Sequence, residues 1–120
     1  MRILIVDDSR AMRKIVLRAL RQAGFSGHEF HEAEDGQKGL EAVAEHSPEL
    51  ILSDWNMPEM TGIEFLRELR AAGNQTPFGF ITTEGTGELR KEASEAGANF
   101  LLQKPFTPDQ IEETLTPYVD

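Results

Sequence analysis

The chain has 120 residues, a net charge of −9 at pH 7 and no cysteine. This length suits one domain that buries a core without covalent cross-links, and the lack of cysteine excludes disulfides, thiolate metal ligands and a cysteine nucleophile. The acidic balance argues against binding nucleic acid through phosphate contacts, and no signal peptide or membrane-spanning stretch is evident. We therefore expect a cytoplasmic protein of one domain, residues 1–120, with no nucleic-acid or membrane partner.

Five strand-like runs alternate with helical patterns along the chain. The strand-like runs cover residues 3–6, 28–33, 50–53, 77–82 and 100–103. Apolar stripes at helical spacing cover residues 12–23, 40–44, 63–69, 88–96 and 111–118, the fourth being the weakest. This alternation predicts an α/β fold with a doubly wound parallel sheet, in which the apolar first, third and fifth strands are expected to be central.

Helix boundaries are indicated by capping residues. Thr61 to Glu64 and Thr107 to Gln110 read as capping boxes, the second with proline at the first helical position. Asp8 or Ser9 can cap the first helix, and Gly24 can end it. A chain ending at Asp120, directly after the last apolar stripe, suits a protein that stands alone.

Charged residues follow three of the apolar runs. Asp7 and Asp8 follow the first run, Asp54 the third and Lys104 the fifth. Because parallel strands end at one edge of a sheet, we expect these side chains to meet in one crevice. Carboxylates about 5 Å apart repel by roughly 3 kcal/mol per pair at an effective dielectric constant of ~20, so the cluster needs a cation, and Mg²⁺ is the cofactor that its oxygen ligands predict.

These positions, together with their neighbours, resemble the receiver domain of two-component response regulators. The resemblance covers the whole chain and is carried by Asp7, Asp8, residues 54–58 (DWNMP), residues 82–84 (TTE) and residues 104–106 (KPF). It is strongest to the family's single-domain chemotaxis regulators. It implies a flavodoxin-like (βα)5 fold with strand order 2-1-3-4-5, and a function as the phosphoacceptor of a two-component phosphorelay in chemotaxis.

The resemblance implies a role for each residue at the site. Asp54 is the phosphorylated nucleophile, and Lys104 supplies a cation for a phosphoryl oxygen. Asp8, Asp54 and the backbone carbonyl of Asn56 bind Mg²⁺, while Asp7 orients a water on the metal. Such a protein catalyses only its own phosphorylation and dephosphorylation, so we do not expect an enzyme with an external substrate.

Four further positions are expected to control the lifetime and the readout of the phosphorylated state. Asn56 and Glu84 flank the attacking water in the family and tune dephosphorylation. Thr82 supplies the switching hydroxyl group, which bonds the phosphoryl group once it arrives. The family has an aromatic residue three positions before the lysine, but this chain has Leu101 there, and Phe100 is expected to face the opposite side of the strand.

The implied partners are a histidine kinase as phosphodonor, a phosphatase, and an output target on the face formed by the fourth helix, fifth strand and fifth helix; a monomer is expected. That face offers few cations, Arg90 and Lys91, so binding to a flagellar motor protein is a weakened inference. A stand-alone receiver acting as a phosphate sink or relay, or a receiver excised from a larger regulator, remains the alternative.

Unrelated functions fit less well. A dehalogenase-type hydrolase needs a second aspartate two residues after the nucleophile, where this chain has Asn56. A flavin carrier needs a phosphate loop where Asp7 and Asp8 would repel phosphate, and a pseudo-receiver would lack Asp54 or Lys104.

Other side chains are expected to have structural roles only. His28 and His31 lie in a predicted edge strand without a third metal ligand, and His46 suits the end of a helix. Trp55 is expected to be an exposed or half-buried neighbour of the site. Met57 and Met60 are expected to pack in the loop.

Overall fold

The computed structural model describes residues 1–119, which form a five-stranded parallel sheet with helices on both faces. The strands are β1 (Arg2–Val6), β2 (Glu29–Ala33), β3 (Leu50–Ser53), β4 (Phe78–Thr82) and β5 (Phe100–Gln103). Their order is β2-β1-β3-β4-β5, and every neighbouring pair is parallel. The predicted α/β class and the predicted strand order are therefore confirmed.

Five α-helices alternate with the strands, as the apolar periodicity predicts. They are α1 (Arg10–Leu20), α2 (Gly36–His46), α3 (Gly62–Ala71), α4 (Gly87–Ala96) and α5 (Pro108–Leu115). A π-helical turn over Arg21–Phe25 extends α1 and contains Gly24 at φ 100°, a value that glycine adopts without strain. A 3-10 turn over Thr116–Tyr118 follows α5. The expectation drawn from Asp120 concerns a residue outside the described range.

The prediction that the fifth strand is central is wrong. β5 is an edge strand whose only neighbour among the described strands is β4, and Leu102 is its one buried residue. β4 is central instead, with all five residues buried. An apolar run indicates that a strand is buried, but not how many strands lie next to it. Phe100 is partly buried because its ring lies over Gly79 of β4 and near the ring of Tyr118.

The sheet separates two apolar layers because side chains alternate between its faces. Phe65, Phe78 and Phe80 lie in the layer under α2, α3 and α4. The other layer lies under α1 and α5. Leu101 packs against the first layer and Phe100 against the second, so the expectation that these neighbours face opposite sides is confirmed.

The helix starts are held by the capping residues that the sequence indicates. Ser9 caps α1, its Oγ accepting the Met12 N–H at 3.2 Å. Both predicted capping boxes are present, at the start of α3 and of α5. These caps make the helices begin directly after the loops that follow β1, β3 and β5, which sets the position of each loop. Among residues 1–119, no helix has the combination of length and apolar character that a membrane crossing requires.

Candidate functional site

The site is built from residues that directly follow three strands. The backbone N–H groups continue the pattern of the sheet: Asp7 donates to Ala33 O at 3.1 Å, Asp54 to Val6 O at 2.9 Å, and Lys104 to Thr82 O at 2.7 Å. Each residue is therefore fixed by a strand neighbour before its side chain makes any contact. The prediction that the residues after β1, β3 and β5 meet at one edge of the sheet is confirmed.

The charged side chains lie within contact distance of one another. Lys104 Nζ is 3.3 Å from Asp7 Oδ2 and 3.9 Å from Asp54 Oδ1. One carboxylate oxygen from each of Asp7, Asp8 and Asp54 lies within 4.8 Å of the others. Asp7 and the side chain of Lys104 are almost fully buried, Asp54 is half-buried and Asp8 is exposed. The cluster thus has a buried floor and one open side.

Opposing influences act on the pKa of Asp54. Burial raises the pKa of its carboxyl group, and the nearby carboxylates of Asp7 and Asp8 raise it further; Lys104 and the Trp55 N–H lower it, without cancelling the rise. The Trp55 N–H donates to Asp54 Oδ1 at 2.8 Å. A carboxylate in this position gains from any added cation, because the cation removes both the repulsion and part of the desolvation cost.

The residues fit a hard divalent cation. Three carboxylates with mutually close oxygens form a ligand set for a cation that prefers oxygen, and the open side next to Asp8 leaves room for water, which Mg²⁺ retains when it binds. Asn56, the remaining expected ligand through its carbonyl group, lies in the exposed part of the loop after Asp54. Asp7 Oδ1 already accepts the Ser9 N–H at 2.9 Å, so one oxygen of Asp7 is committed to the start of α1.

The positions expected to control lifetime and switching lie around the same edge. Thr82 is fully buried, and its Oγ1 accepts the Glu84 N–H at 3.3 Å. Glu84 and Asn56 are exposed. Leu101 is half-buried and packs against the apolar layer under α4.

Several residues that support the site escaped the sequence analysis. Gly62, the first residue of α3, lies so close to the carbonyl oxygen of Asp54 that a Cβ atom would overlap it, and the Gly62 N–H donates to Trp55 O at 2.8 Å. Ser53 Oγ donates to Asp54 O at 2.8 Å. Arg13 Nη1 donates to Asp7 O at 2.6 Å. The glycine directly after a capping threonine is the one signal that could have indicated such a close approach.

The expectation for Trp55 is wrong, since the side chain is only 7% exposed. Its ring packs on Phe80, with the centroids 4.6 Å apart, because the chain after Asp54 turns inward over β4. Met57 is buried and Met60 half-buried in the same layer, as expected of loop packing.

The three histidines lie outside the charged cluster: His28 directly before β2, His31 in β2 and His46 in α2. His46 is the last residue of α2, as predicted, and its ring stacks on His31 of β2 with the centroids 3.7 Å apart. His31 Nε2 is 2.6 Å from Glu29 Oε2, and His28 Nδ1 is 2.9 Å from the N-terminal nitrogen. The contact between His31 and His46 was not foreseen, because the sequence does not show which face of α2 covers β2.

Residues 3–116 match the sequence profile of the family described as the response regulator receiver domain. The chain belongs to this receiver family. It is 40% identical over 117 residues to the chemotaxis protein CheY-3 of Vibrio cholerae. The aligned region covers 96% of this chain and 88% of that protein. It is 38% identical to the chemotaxis protein CheY of Pseudomonas aeruginosa, over 96% of this chain and 93% of that protein.

Solved structures agree with this assignment. The chemotaxis response regulator CheY4 of Vibrio cholerae superposes with a TM-score of 0.85 at 36% identity, covering 98% of both chains. The receiver domain of the Francisella response regulator 1452 superposes with a TM-score of 0.83 at 26% identity, over 98% of this chain and 94% of that one. This receiver is thus a two-component response regulator of the type found among chemotaxis regulators.

Proposed function

We propose that this receiver is a phosphorylation switch that accepts a phosphoryl group on Asp54 from a histidine kinase, requires Mg²⁺, and catalyses no reaction on an external substrate. The observation that carries the proposal is the position of Asp54, fixed at the end of β3 between two aspartates and a buried lysine. An inert structural carboxylate would not need such surroundings, because burial and the two neighbouring carboxylates raise its pKa although Lys104 opposes the rise.

The chemistry follows from the side chains. An Asp54 carboxylate oxygen attacks phosphorus and forms an acyl phosphate. The bond between phosphorus and the donor imidazole nitrogen breaks, its electron pair stays on that nitrogen, and the nitrogen takes up a proton from solvent. Lys104 pairs with a phosphoryl oxygen as its contact with Asp54 is lost. Asp7, Asp8, Asp54 and the carbonyl of Asn56 would hold Mg²⁺, which supplies positive charge for the phosphoryl oxygens.

Three residues are assigned to the later steps. The Thr82 hydroxyl group would donate to the phosphoryl group once the acyl phosphate has formed, because its oxygen accepts the Glu84 N–H and its own O–H is free to donate. Asn56 and Glu84, both exposed beside the site, would set how easily water reaches the acyl phosphate. Hydrolysis then regenerates the Asp54 carboxylate and releases inorganic phosphate.

Intact-mass measurement with acetyl phosphate tests the proposal. The wild-type protein should gain one phosphoryl group in the presence of Mg²⁺ and gain none when EDTA is present from the start. Asp54→Asn should gain none. Asp109→Asn, the same chemical change at an exposed position of α5, is the matched control and should behave like the wild type. A labile phosphoryl group on the Asp54→Asn protein would sink the assignment.

The similarity to chemotaxis regulators supports a role in chemotaxis in the cytoplasm, as a monomer, with a histidine kinase as donor, a phosphatase that shortens the signal, and an output target on α4, β5 and α5. The second candidate is a phosphate sink or relay. It is favoured by Leu101, which stands where the family has an aromatic switch residue, and by the few cations on that face. A pull-down comparing phosphorylated with unphosphorylated protein separates the two, because a sink needs no phosphorylation-dependent target.

A further inference from the structure

We propose that Arg13 is a positioning residue for Mg²⁺ binding, because its guanidinium group fixes the peptide group that joins Asp7 to Asp8. The inference rests on the proposed function, since it concerns the same metal site. Within residues 1–119, the only carboxylate that Arg13 pairs with is that of Glu32. Arg13 therefore acts on the site through the backbone of the two aspartates and not by binding their side chains.

Arg13 makes two contacts with different parts of its planar head group. Nη1 donates to the carbonyl oxygen of Asp7 at 2.6 Å, and Nε donates to Glu32 Oε1 at 2.9 Å. A guanidinium group is rigid and its donors keep a fixed fork geometry, so each contact orients the other. The side chain is only 13% exposed, whereas the neighbouring Lys14 is exposed.

The carbonyl group that Arg13 binds lies between two residues of the charged cluster. It belongs to the peptide group whose other end is the N–H of Asp8, and a peptide group is planar. A fixed carbonyl oxygen therefore restricts ψ of Asp7 and φ of Asp8, the angles that set where the two side chains leave the backbone. One contact thus acts on two carboxylates, whose oxygens lie within 4.8 Å of each other and of an Asp54 oxygen.

The contact with Arg13 differs from the other contacts of Asp7, because it binds the backbone and leaves the carboxylate free. The Asp7 N–H donates to Ala33 O at 3.1 Å. Asp7 Oδ1 accepts the Ser9 N–H at 2.9 Å, and Oδ2 lies 3.3 Å from Lys104 Nζ. A guanidinium group bound to the carboxylate would compete with a metal for the same oxygens, whereas one bound to the carbonyl oxygen does not.

The contact between Lys104 and Asp7 changes during the cycle of the proposed function. Lys104 then pairs with a phosphoryl oxygen, so the carboxylate of Asp7, a residue only 4% exposed, loses a cation. Arg13 lies outside the group of reacting side chains, and its two contacts need no change when Asp54 is phosphorylated. Arg13 is therefore a support for the metal site that stays in place throughout the cycle.

Glu32 connects this support to β2. Glu32 and Ala33 are consecutive residues of that strand. The backbone of Asp7 is therefore tied to β2 twice, through its N–H to Ala33 O and through its carbonyl group to Arg13 and Glu32. The carboxylate of Glu32 also balances the charge of Arg13, which alone would repel a divalent cation. The two residues can therefore be replaced together without changing the net charge of the protein.

Titration of the metal-free protein with Mg²⁺ tests the inference. Trp55 is the only tryptophan of the chain, and its backbone N–H donates to Asp54 Oδ1 at 2.8 Å. Its fluorescence therefore reports on the metal site without any phosphorylation, and isothermal titration calorimetry gives an independent value of the affinity.

The test variant is Arg13→Met with Glu32→Gln. The matched control is Arg67→Met with Glu92→Gln, which removes an ion pair of the same two residue types, 3.1 Å apart, between α3 and α4. Both double variants keep the net charge of the wild type. Urea unfolding of both shows whether they are folded and separates a loss of stability from a loss of Mg²⁺ affinity.

We expect the test variant to bind Mg²⁺ about tenfold more weakly than the control, as when a residue that supports a metal ligand is lost. Arg13→Lys should also bind weakly, because an ammonium group keeps the charge but lacks the fork that reaches both partners. At saturating Mg²⁺, the phosphorylation rate of the test variant with acetyl phosphate should approach that of the control, since the bound metal then holds the aspartates.

Two milder measurements test the same support. Glu32→Gln alone removes only the partner that orients Arg13, so its Mg²⁺ affinity should lie between those of the wild type and the test variant. In the metal-free protein, the Ser9 amide, which donates to Asp7 Oδ1, should exchange its hydrogen faster in the test variant than in the control.

Equal Mg²⁺ affinity of the test and control variants would overturn the inference. Wild-type affinity in Arg13→Lys would assign the effect to charge instead of geometry. A lower phosphorylation rate that persists at saturating Mg²⁺, with unchanged affinity, would leave Arg13 a role in stability alone. Failure of the proposed function looks different, because the wild type itself would then bind no Mg²⁺ or gain no phosphoryl group.

Discussion

Gly62 lies against the carbonyl oxygen of Asp54 and the ring of Phe80, closer than any Cβ atom could stand. A single missing methyl group therefore lets α3 begin directly behind the reacting carboxylate. The Gly62 N–H also donates to the carbonyl oxygen of Trp55, and the Asp54 N–H donates to Val6 O. The backbone at Asp54 and at the next residue is therefore held by hydrogen bonds. At this scale, the precision of the site comes from residues without charge.

Gly62→Ala should displace Asp54 and lower the rate of its phosphorylation by acetyl phosphate. Overpacking of this kind costs about 1–3 kcal/mol, so the midpoint of urea unfolding should fall as well. Gly27→Ala is the control, because a Cβ atom there meets nothing within 4 Å. A Gly62→Ala protein that is phosphorylated as fast as the Gly27→Ala protein would show that Asp54 tolerates the shift.

Asn56 should set the lifetime of the phosphorylated state. It is exposed two residues after Asp54, where a small polar side chain leaves water free access, so we expect fast dephosphorylation in the wild type. Asn56→Arg or Asn56→Met should slow the decay severalfold by hindering the water, and changing Glu84 should alter it too. After acetyl phosphate has been removed by rapid desalting, loss of the phosphoryl group followed by intact mass in the presence of Mg²⁺ measures the rate. Identical decay in wild type and variants would remove both residues from the mechanism.

At the scale of single elements, α3 depends on its first turn to begin directly after the Asp54 loop. Thr61 N and Thr61 Oγ1 both lie 2.9 Å from Glu64 Oε1, and the Glu64 N–H is bound by Thr61 Oγ1. These bonds from the Thr61 backbone and side chain hold the pKa of Glu64 below its ordinary value of 4.5. The capping box thus connects the helix to the loop that carries the reacting carboxylate.

The capping box predicts a pH dependence with a definite sign. Because the folded state lowers the pKa of Glu64, its stabilisation is present above the unfolded value of 4.5 and is lost as the pH falls through the folded value. Glu64→Gln should therefore be less stable than the wild type at neutral pH, with the difference vanishing in acid. Urea unfolding across pH measures it, with Glu68→Gln in the same helix as control. A difference that persists unchanged at pH values acid enough to protonate Glu64 in the folded state would contradict the assignment of the stabilisation to the ionised carboxylate.

For the whole molecule, the sequence predicts most of the fold and the composition of the site because both follow from local patterns. Apolar periodicity identifies the elements, and charged residues after strands identify the cluster at one edge. The edge position of β5, the burial of Trp55 and the stack of His31 on His46 could not be predicted in this way. Each depends on which elements become neighbours across the sheet, and that information is distributed over the whole chain.

The same nonlocal contacts determine how phosphorylation can reach the output face. Without an aromatic residue at Leu101, two long polar side chains connect the loop after β4 to β5. Arg90 donates to Gly85 O and to Leu101 O, both at 3.2 Å. Gln103 Nε2 donates to Thr83 O at 3.4 Å, and its side chain covers Gly85. We therefore expect a movement of the loop to displace β5 through these contacts.

We expect the switch to be centred on residues 83–90. A charge-assisted bond from Thr82 to the phosphoryl group is worth about 1.5–3 kcal/mol, enough to shift a two-state population by about tenfold or more. Hydrogen exchange with beryllofluoride should show protection rising in this segment, where glycines lower the cost of changing the backbone. Thr82→Ala should abolish the effect while leaving phosphorylation of Asp54 largely intact.

The coupling to β5 can be separated from the loop response itself. In a protein with Arg90→Ala and Gln103→Ala, residues 83–90 should still respond to beryllofluoride, but the response of residues 100–103 should be lost, because the two bridging side chains are gone. Lys91→Ala, which removes a neighbouring exposed cation paired only weakly with Glu95 at 3.9 Å, should leave both responses in place. Changes confined to β5 and absent from residues 83–90 in the wild type would refute a switch that begins in the loop.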